Sequence, residues 1–311
     1  MIFKEILKRD GLALRDEFQK LLNLATKTQF HPGDLLLLNE NGFYNPEILD
    51  FRGADGGKLN PHVIGPGAEG YAEQTHYEYI HHYRTTNYSD KPLDEYTKLF
   101  DLKEFDQMRY DANNLLIQKE ALSIHAEMLV YLKIWESDFF IRKMYQLVRL
   151  LNGEHYDWYF KIQETARDTE FTGSRQEIIR KLIRDRIKKI SPLLFDTISR
   201  CYKTQIRNSI AHSNFSIMGR NIQLNNFIKD DPASQLHTIS FDEWINIFHG
   251  TLLLWSEYVG IYTDLNNYYI EIAAGNGNII PILVTEKDKT QYEQPVQFRR
   301  ESKSWGYQQR K

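Results

Sequence analysis

Arg207 and His212 stand at the two ends of the stretch Arg207-Asn208-Ser209-Ile210-Ala211-His212. They pair a fixed cation with the one side chain whose ordinary titration falls near neutral pH. On a helix Asn208 and His212, four apart, share a face, and Arg207 lies one residue off it with a guanidinium long enough to reach round. Such a set can move a proton at the imidazole while the arginine holds a phosphate or a developing negative charge. An arginine and a histidine near a helix C-terminus also suit the helix dipole, so the residue types alone leave a structural and a catalytic reading open.

Two other features have chemical content. Glu136 falls among Leu129, Leu132, Phe140 and Leu147, on or beside an apolar stripe, and a carboxylate there needs a partner. At the stripe's edge it would snorkel to water or pair with Lys133 or Lys143. His125, nearly in phase with it, is a weaker candidate that reads as a satisfied core histidine. The second feature is charge. Ser174 to Arg207 holds ten basic and three acidic residues, +7 in 34 positions, which leaves −10 for the rest of a chain whose net charge is −3. Within it Arg180, Arg184 and Lys188 share a face opposite Ile179, Leu182, Ile183, Ile187 and Ile190, an amphipathic arrangement that reads as a solvated face or, with Lys203, as a track for phosphates.

The elements that must carry these residues follow from periodicity. The first 27 residues predict one or two short helices. From Phe30 to Lys91 the repeated Pro, Gly and Asn signals predict short strands and turns or a long ordered loop. Leu115 to Asn152 predicts a long helix or a kinked pair ending at Gly153. Ser174, with Glu177 three residues on, opens a second helix through Ile190; Pro192 opens a third that runs to His212. A β-hairpin is expected over Asn214–Leu224, with Gly219 in its turn. The Ser-x-x-Glu box at Ser240 and Glu243 starts a last long helix. The tail from Gly275 predicts one strand, Ile279 to Val284, and a frayed polar end docked through Trp305.

Composition narrows the class. The 311 residues are 41% hydrophobic and 13% aromatic, which suits a globular chain of one large or two modest domains and not a disordered one. Its apolar runs, such as Leu35–Leu38 and Leu252–Trp255, are far shorter than the roughly 20 residues a membrane helix needs. Charges run through the first 18 residues, so no secretory leader is expected. The single cysteine, Cys201, excludes an intramolecular disulfide and suits a cytoplasmic location.

The order of these parts resembles the HEPN superfamily of all-α domains: Arg207, Asn208 and His212 at a helix end, then a short hairpin, then a long helix opening Ile239-Ser240-Phe241-Asp242-Glu243-Trp244. That family's hallmark is Arg, usually followed by Asn or another polar residue, with His completing an R-x4-to-6-H motif. The resemblance spans Leu115 to about Ile272, half the chain, and residues 1 to about 110 have no counterpart in it. It implies a mainly α fold: an N-terminal helical and irregular extension at 1–111, a HEPN-like helical bundle at 112–274 with a hairpin after its third helix, and a tail at 275–311. It further implies a metal-independent endoribonuclease of the toxin or antiviral-defence type, without cofactor, acting as a homodimer with a composite site and with an antitoxin as a possible partner. In that reading His212 is the general acid or base, Arg207 stabilises charge on phosphorus, Asn208 orients His212, Glu136 is the acidic residue of the first helix, and RNA lies along Arg180, Arg184, Lys188 and Lys203. Some members of the family have lost the motif, so a non-catalytic RNA- or protein-binding module is the alternative, and a nucleotide-binding or nucleotide-transfer site a third.

Two signals are set aside. His62, His76, His81 and His82 match no closed metal site and read as surface histidines. Gly65-Pro66-Gly67-Ala68-Glu69-Gly70 spells G-x-G-x-x-G, yet without the apolar helix a dinucleotide fingerprint requires.

Overall fold

A run of good helix formers with one buried face propagates once nucleated, and the N-terminal run does so without interruption. In a computed structural model that describes residues 1–51, 56, 58–101 and 106–308, Lys4–Thr28 is a single helix, α1. Gly11 sits inside it because a Cβ there would lie 3.1 Å from Leu253. The stretch expected to be short strands and turns holds two helices besides one pair of short strands. α2 (Asp34–Glu40) buries all of Leu35–Leu38. β1 (Gly42–Tyr44) and β2 (His62–Ile64) pair antiparallel, with a 3₁₀ turn at Pro46–Asp50; positions 52–55 and 57 of this stretch lie outside the described residues. α3 (Gly67–Thr86) buries only Ile80 and Tyr83, so it carries no apolar stripe by which to recognise it. The G-x-G-x-x-G spelling leads into α3, but β2 before it is antiparallel, outside any βαβ unit.

α4 (Leu93–Lys98) precedes α5 (Gln107–Trp135), whose N-cap Asp106 accepts from the amides of Met108 and Arg109 at 2.9 and 3.3 Å. The kinked alternative for the long apolar stretch is the one observed: α5 stops at Trp135, and α6 (Asp138–Leu151) begins after Glu136-Ser137. Gly153 terminates α6 at φ +71. The next helix is opened by Ser174, whose amide and hydroxyl both reach Glu177 Oε2, at 3.3 and 3.0 Å. It is not uniformly α-helical: α7 (Arg175–Glu177) passes into a π-helical segment, Ile178–Arg184, and then α8 (Asp185–Ile187).

The single third helix is in fact two, α9 (Pro192–Cys201) and α10 (Thr204–Ala211), parted at Tyr202-Lys203. β3 (Phe215–Met218) and β4 (Asn221–Leu224) form the hairpin with Gly219 at φ +58, and β5 (Thr238–Ser240) adds a third strand, Ile222 facing Ile239. Ser240 and Glu243 form their capping box, with Glu243 N to Ser240 Oγ at 3.2 Å, and start α11 (Phe241–Gly275). The tail holds more order than one strand: β6 (Ile279–Thr285), β7 (Gln291–Arg299) and β8 (Ser304–Tyr307) make an antiparallel sheet, and Trp305 is buried against Phe298 with ring centroids 5.1 Å apart.

The fold is thus mainly α with small antiparallel sheets, and it divides into two compact units. One comprises Met1–Glu17, Gln74–Ser137 and Leu193–Glu257. Its core joins Tyr131 to Trp244 (5.6 Å) and Tyr83 to Phe248 (5.8 Å), and the buried Glu127 accepts from Trp244 Nε1 at 2.7 Å and Ser123 Oγ at 2.9 Å. The other comprises Phe18–Glu73, Asp138–Pro192 and Tyr258–Lys311. There Phe140 meets Tyr258 edge-on at 4.8 Å, and Trp158 donates to the Leu283 carbonyl at 3.1 Å. Among the described residues no helix is long and apolar enough to cross a membrane.

Two consequences are measurable. A Cβ on Gly33 would come 2.4 Å from the Pro281 carbonyl oxygen and 2.8 Å from Ile282 Cα, both backbone. Gly33→Ala therefore lowers the unfolding free energy by about 1–3 kcal/mol, read from denaturant midpoints. Fully buried His249 accepts from Phe3 N at 2.9 Å and hydrogen-bonds Ile245 O through Nδ1 at 2.7 Å. Burial pushes its imidazole down to about 4, against about 6.5 in an unfolded chain. The unfolded chain takes up the proton first on acidification, so stability is lost as pH falls from about 6.5 toward 4. His249→Leu flattens that slope in urea titrations across this window.

Candidate active site around Arg207

The C-terminal end of α5 and the whole of α10 belong to the same unit, and aromatic side chains hold them together. Trp135 donates through Nε1 to Thr251 Oγ1 of α11 at 3.2 Å, its ring lies 5.0 Å from that of Tyr202, and Tyr131 OH donates to the Cys201 carbonyl at 3.0 Å. Glu136 follows directly as the C-cap of α5, so its carboxylate leaves the helix where α10 passes. There it meets Arg207: Nε forms an ion pair with Oε1, and NH2 donates to Oε2 at 3.3 Å. NH1 donates to Asn208 Oδ1 at 2.6 Å. A guanidinium has five N–H groups, and three of them face Glu136 and Asn208. The arginine side chain is 18% exposed and the glutamate 33%, so the pair is partly shielded from water.

His212 is placed by the backbone. It is the C-cap of α10, its amide donating to Asn208 O at 3.0 Å. Beyond it Ser213 N donates to Ile210 O at 3.1 Å and Asn214 N to Ser209 O at 2.7 Å, the two bonds of a Schellman cap. Ser213 stands at φ +52, the place glycine usually takes. Ser209, fully buried, returns its hydroxyl to the Asn214 carbonyl at 2.5 Å and ties the turn to the helix. The imidazole of His212 is exposed and makes no hydrogen bond with the described residues.

The proposed residues are therefore gathered in part. Arg207, Asn208 and Glu136 touch, and the distant arginine, not Lys133 or Lys143, holds Glu136. Lys143 lies buried, its Nζ on the Asn39 carbonyl at 2.8 Å. His125 is not a core histidine: it is exposed, with Phe215 at 5.7 Å, and Leu129 beside it is 47% exposed. Lys203 is the exposed N-cap of α10 in this unit, whereas Arg180, Arg184 and Lys188 belong to the other unit.

The basic run is also less bare than its composition. Asp138 pairs with Arg175, Glu177 with Lys181, Asp185 with Arg184 and Glu154 with Arg186; Arg180, Lys188 and Lys189 are exposed. Of the histidines set aside as surface groups, His62 is fully buried, 3.3 Å from Tyr159 OH. Sequence reading missed Ser209, Ser213, Trp135 and Thr251, which fix the site; the signal for the cap was a polar pair, Ser213-Asn214, at a helix end that lacked glycine. No protein-family model matches the chain, and no curated protein or solved structure does so either.

Because a non-glycine residue pays to occupy the left-handed region, Ser213→Gly raises the unfolding free energy by about 0.5–1 kcal/mol, seen as a higher denaturant midpoint with an unchanged slope.

Proposed function

We propose that the chain is a metal-independent endoribonuclease of the HEPN type, and the observation that carries this reading is the Glu136-held Arg207 standing on the same short helix as an exposed, backbone-fixed His212. The RNA 2′-hydroxyl attacks the adjacent phosphodiester, His212 takes or returns the proton, and the 5′-oxygen leaves to give a 2′,3′-cyclic phosphate and a 5′-hydroxyl. Arg207 puts its two remaining N–H groups on the non-bridging oxygens as charge builds there. Glu136 and Asn208 hold the guanidinium plane so that this costs little reorganisation. A second copy of the chain completes a composite site, and the exposed cations Lys203, Arg180 and Lys188 each contact RNA phosphates, contributing affinity and not sequence choice. Service as a toxin or defence effector, with an antitoxin as the partner that restrains it, belongs to the same reading.

One observation favours the alternative of a non-catalytic RNA- or protein-binding module: Arg207 is already paired to a carboxylate, as a purely structural arginine would be. The two separate in one assay. With EDTA present, the wild-type chain cleaves single-stranded RNA to cyclic-phosphate ends. His212→Ala lowers the rate by about 10²–10⁴-fold, and Arg207→Lys also loses activity because an ammonium cannot make the forked contact. Retarded RNA mobility without product, or cleavage that survives His212→Ala, selects the binding module or another mechanism.

A further inference from the structure

The unit formed by Phe18–Glu73, Asp138–Pro192 and Tyr258–Lys311 contains a cleft of about 970 Å³, of the size that small-molecule sites occupy. Its lining is unusual in combining partly exposed aromatic rings with lysines. Tyr44 and Tyr159 lie side by side, centroids 4.9 Å apart and planes tilted by 42°. They are held by their neighbours: the buried His62 meets Tyr44 edge-on at 5.2 Å and Tyr159 OH at 3.3 Å, and itself rests edge-on against Trp158 at 5.0 Å. The rings are therefore a fixed platform.

Three lysines from two segments stand at the cleft. Lys161 is exposed, its backbone tied to Thr172 (Thr172 N to Lys161 O, 2.8 Å). Lys289 is exposed on a tight turn at φ +70, with its amide on Glu286 O at 2.9 Å and Glu286 N on Thr290 O at 2.8 Å. Lys287 lies 5.8 and 5.9 Å from the centroids of Tyr44 and Tyr159 and pairs with Glu170 at 2.8 Å. Both members of that pair are more than half exposed, and an exposed pair of this kind is weak, so Lys287 can exchange Glu170 for another anion. The carboxylates of the lining are engaged: Glu69 by Arg142, Asp157 by Tyr145 OH and Tyr159 N at 3.0 Å each, and Glu286 by Tyr292 OH at 3.2 Å.

We propose that this cleft binds a nucleotide unit, its base stacked on the Tyr44/Tyr159 platform and its phosphate held by Lys161, Lys287 and Lys289. A planar ring matches the platform, since every base has a π-face that stacks on an aromatic side chain. Lysines flanking it require an anion on the same molecule. A neutral sugar would leave those lysines unused, and an acidic peptide would leave the platform unused. The unit is supplied either as a free mononucleotide or as one residue of single-stranded RNA, and it is recognised in a part of the molecule that does not contain Arg207, so the proposal stands apart from the ribonuclease reading.

The test uses the full chain and isothermal titration with adenosine 5′-monophosphate, with inorganic phosphate, and with a 2′-O-methyl oligonucleotide that cannot undergo 2′-hydroxyl attack. The nucleotide or the oligonucleotide binds saturably and phosphate alone far more weakly. Tyr159→Leu weakens binding about tenfold. The exposed double variant Lys161→Glu/Lys289→Glu weakens it further and reduces its salt dependence. Binding of the mononucleotide identifies a free ligand; binding of the oligonucleotide alone identifies a residue of a strand. Absence of saturable binding by both, or affinity indifferent to the platform and lysine variants, overturns the proposal.

Discussion

Much of the candidate site hangs on what Trp135 does at the last turn of α5. Its indole is buried, so its N–H must find an acceptor, and it finds one in Thr251 of α11 while its ring faces Tyr202 between α9 and α10. One side chain thereby joins three segments that are distant in the chain. The next residue, Glu136, is the C-cap of α5 and pairs with Arg207. Moving that indole would move a carboxylate, and with it the guanidinium on which any phosphate chemistry relies.

Arg207 and His212 are positioned by different means. The arginine is held by side chains, a fork onto Glu136 and a bond to Asn208, which fix the plane of a group whose charge never changes. The histidine is held by the backbone turn that ends α10, which leaves both ring nitrogens open to a proton donor or acceptor. The two side chains thus stand at one short helix without sharing partners among the described residues.

Capping and periodicity were legible in the sequence where the signal is local. The Ser174/Glu177 and Ser240/Glu243 boxes, the stop at Gly153, the hairpin turn at Gly219 and the helix opening at Pro192 all appear where short-range stereochemistry puts them. What failed needed long-range information. α2 is buried all round, and α3 has almost no buried face, so neither shows the one-sided pattern that marks a surface helix. β7 and β8 are polar strands that make sense only beside β6. At the site, the types and spacing of Arg207, Asn208 and His212 were visible, and so was the need of Glu136 for a partner. Which partner was not visible, since Glu136 and Arg207 are 71 residues apart.

The same separation bears on how the chain comes to be folded. The acids that quench Arg175, Arg186 and Arg207 stand 37, 32 and 71 residues away, so none of these pairs exists in a newly made chain. Before collapse the segment from Ser174 to Arg207 displays its full excess of +7; afterwards much of that charge is spent internally. Polyanions therefore meet a stickier protein in its nascent state than in its native one. Whatever binds the unfolded chain in preference opposes folding, and the ion pairs to Asp138, Glu154 and Glu136 act as competitors that withdraw the segment from such encounters as the structure closes.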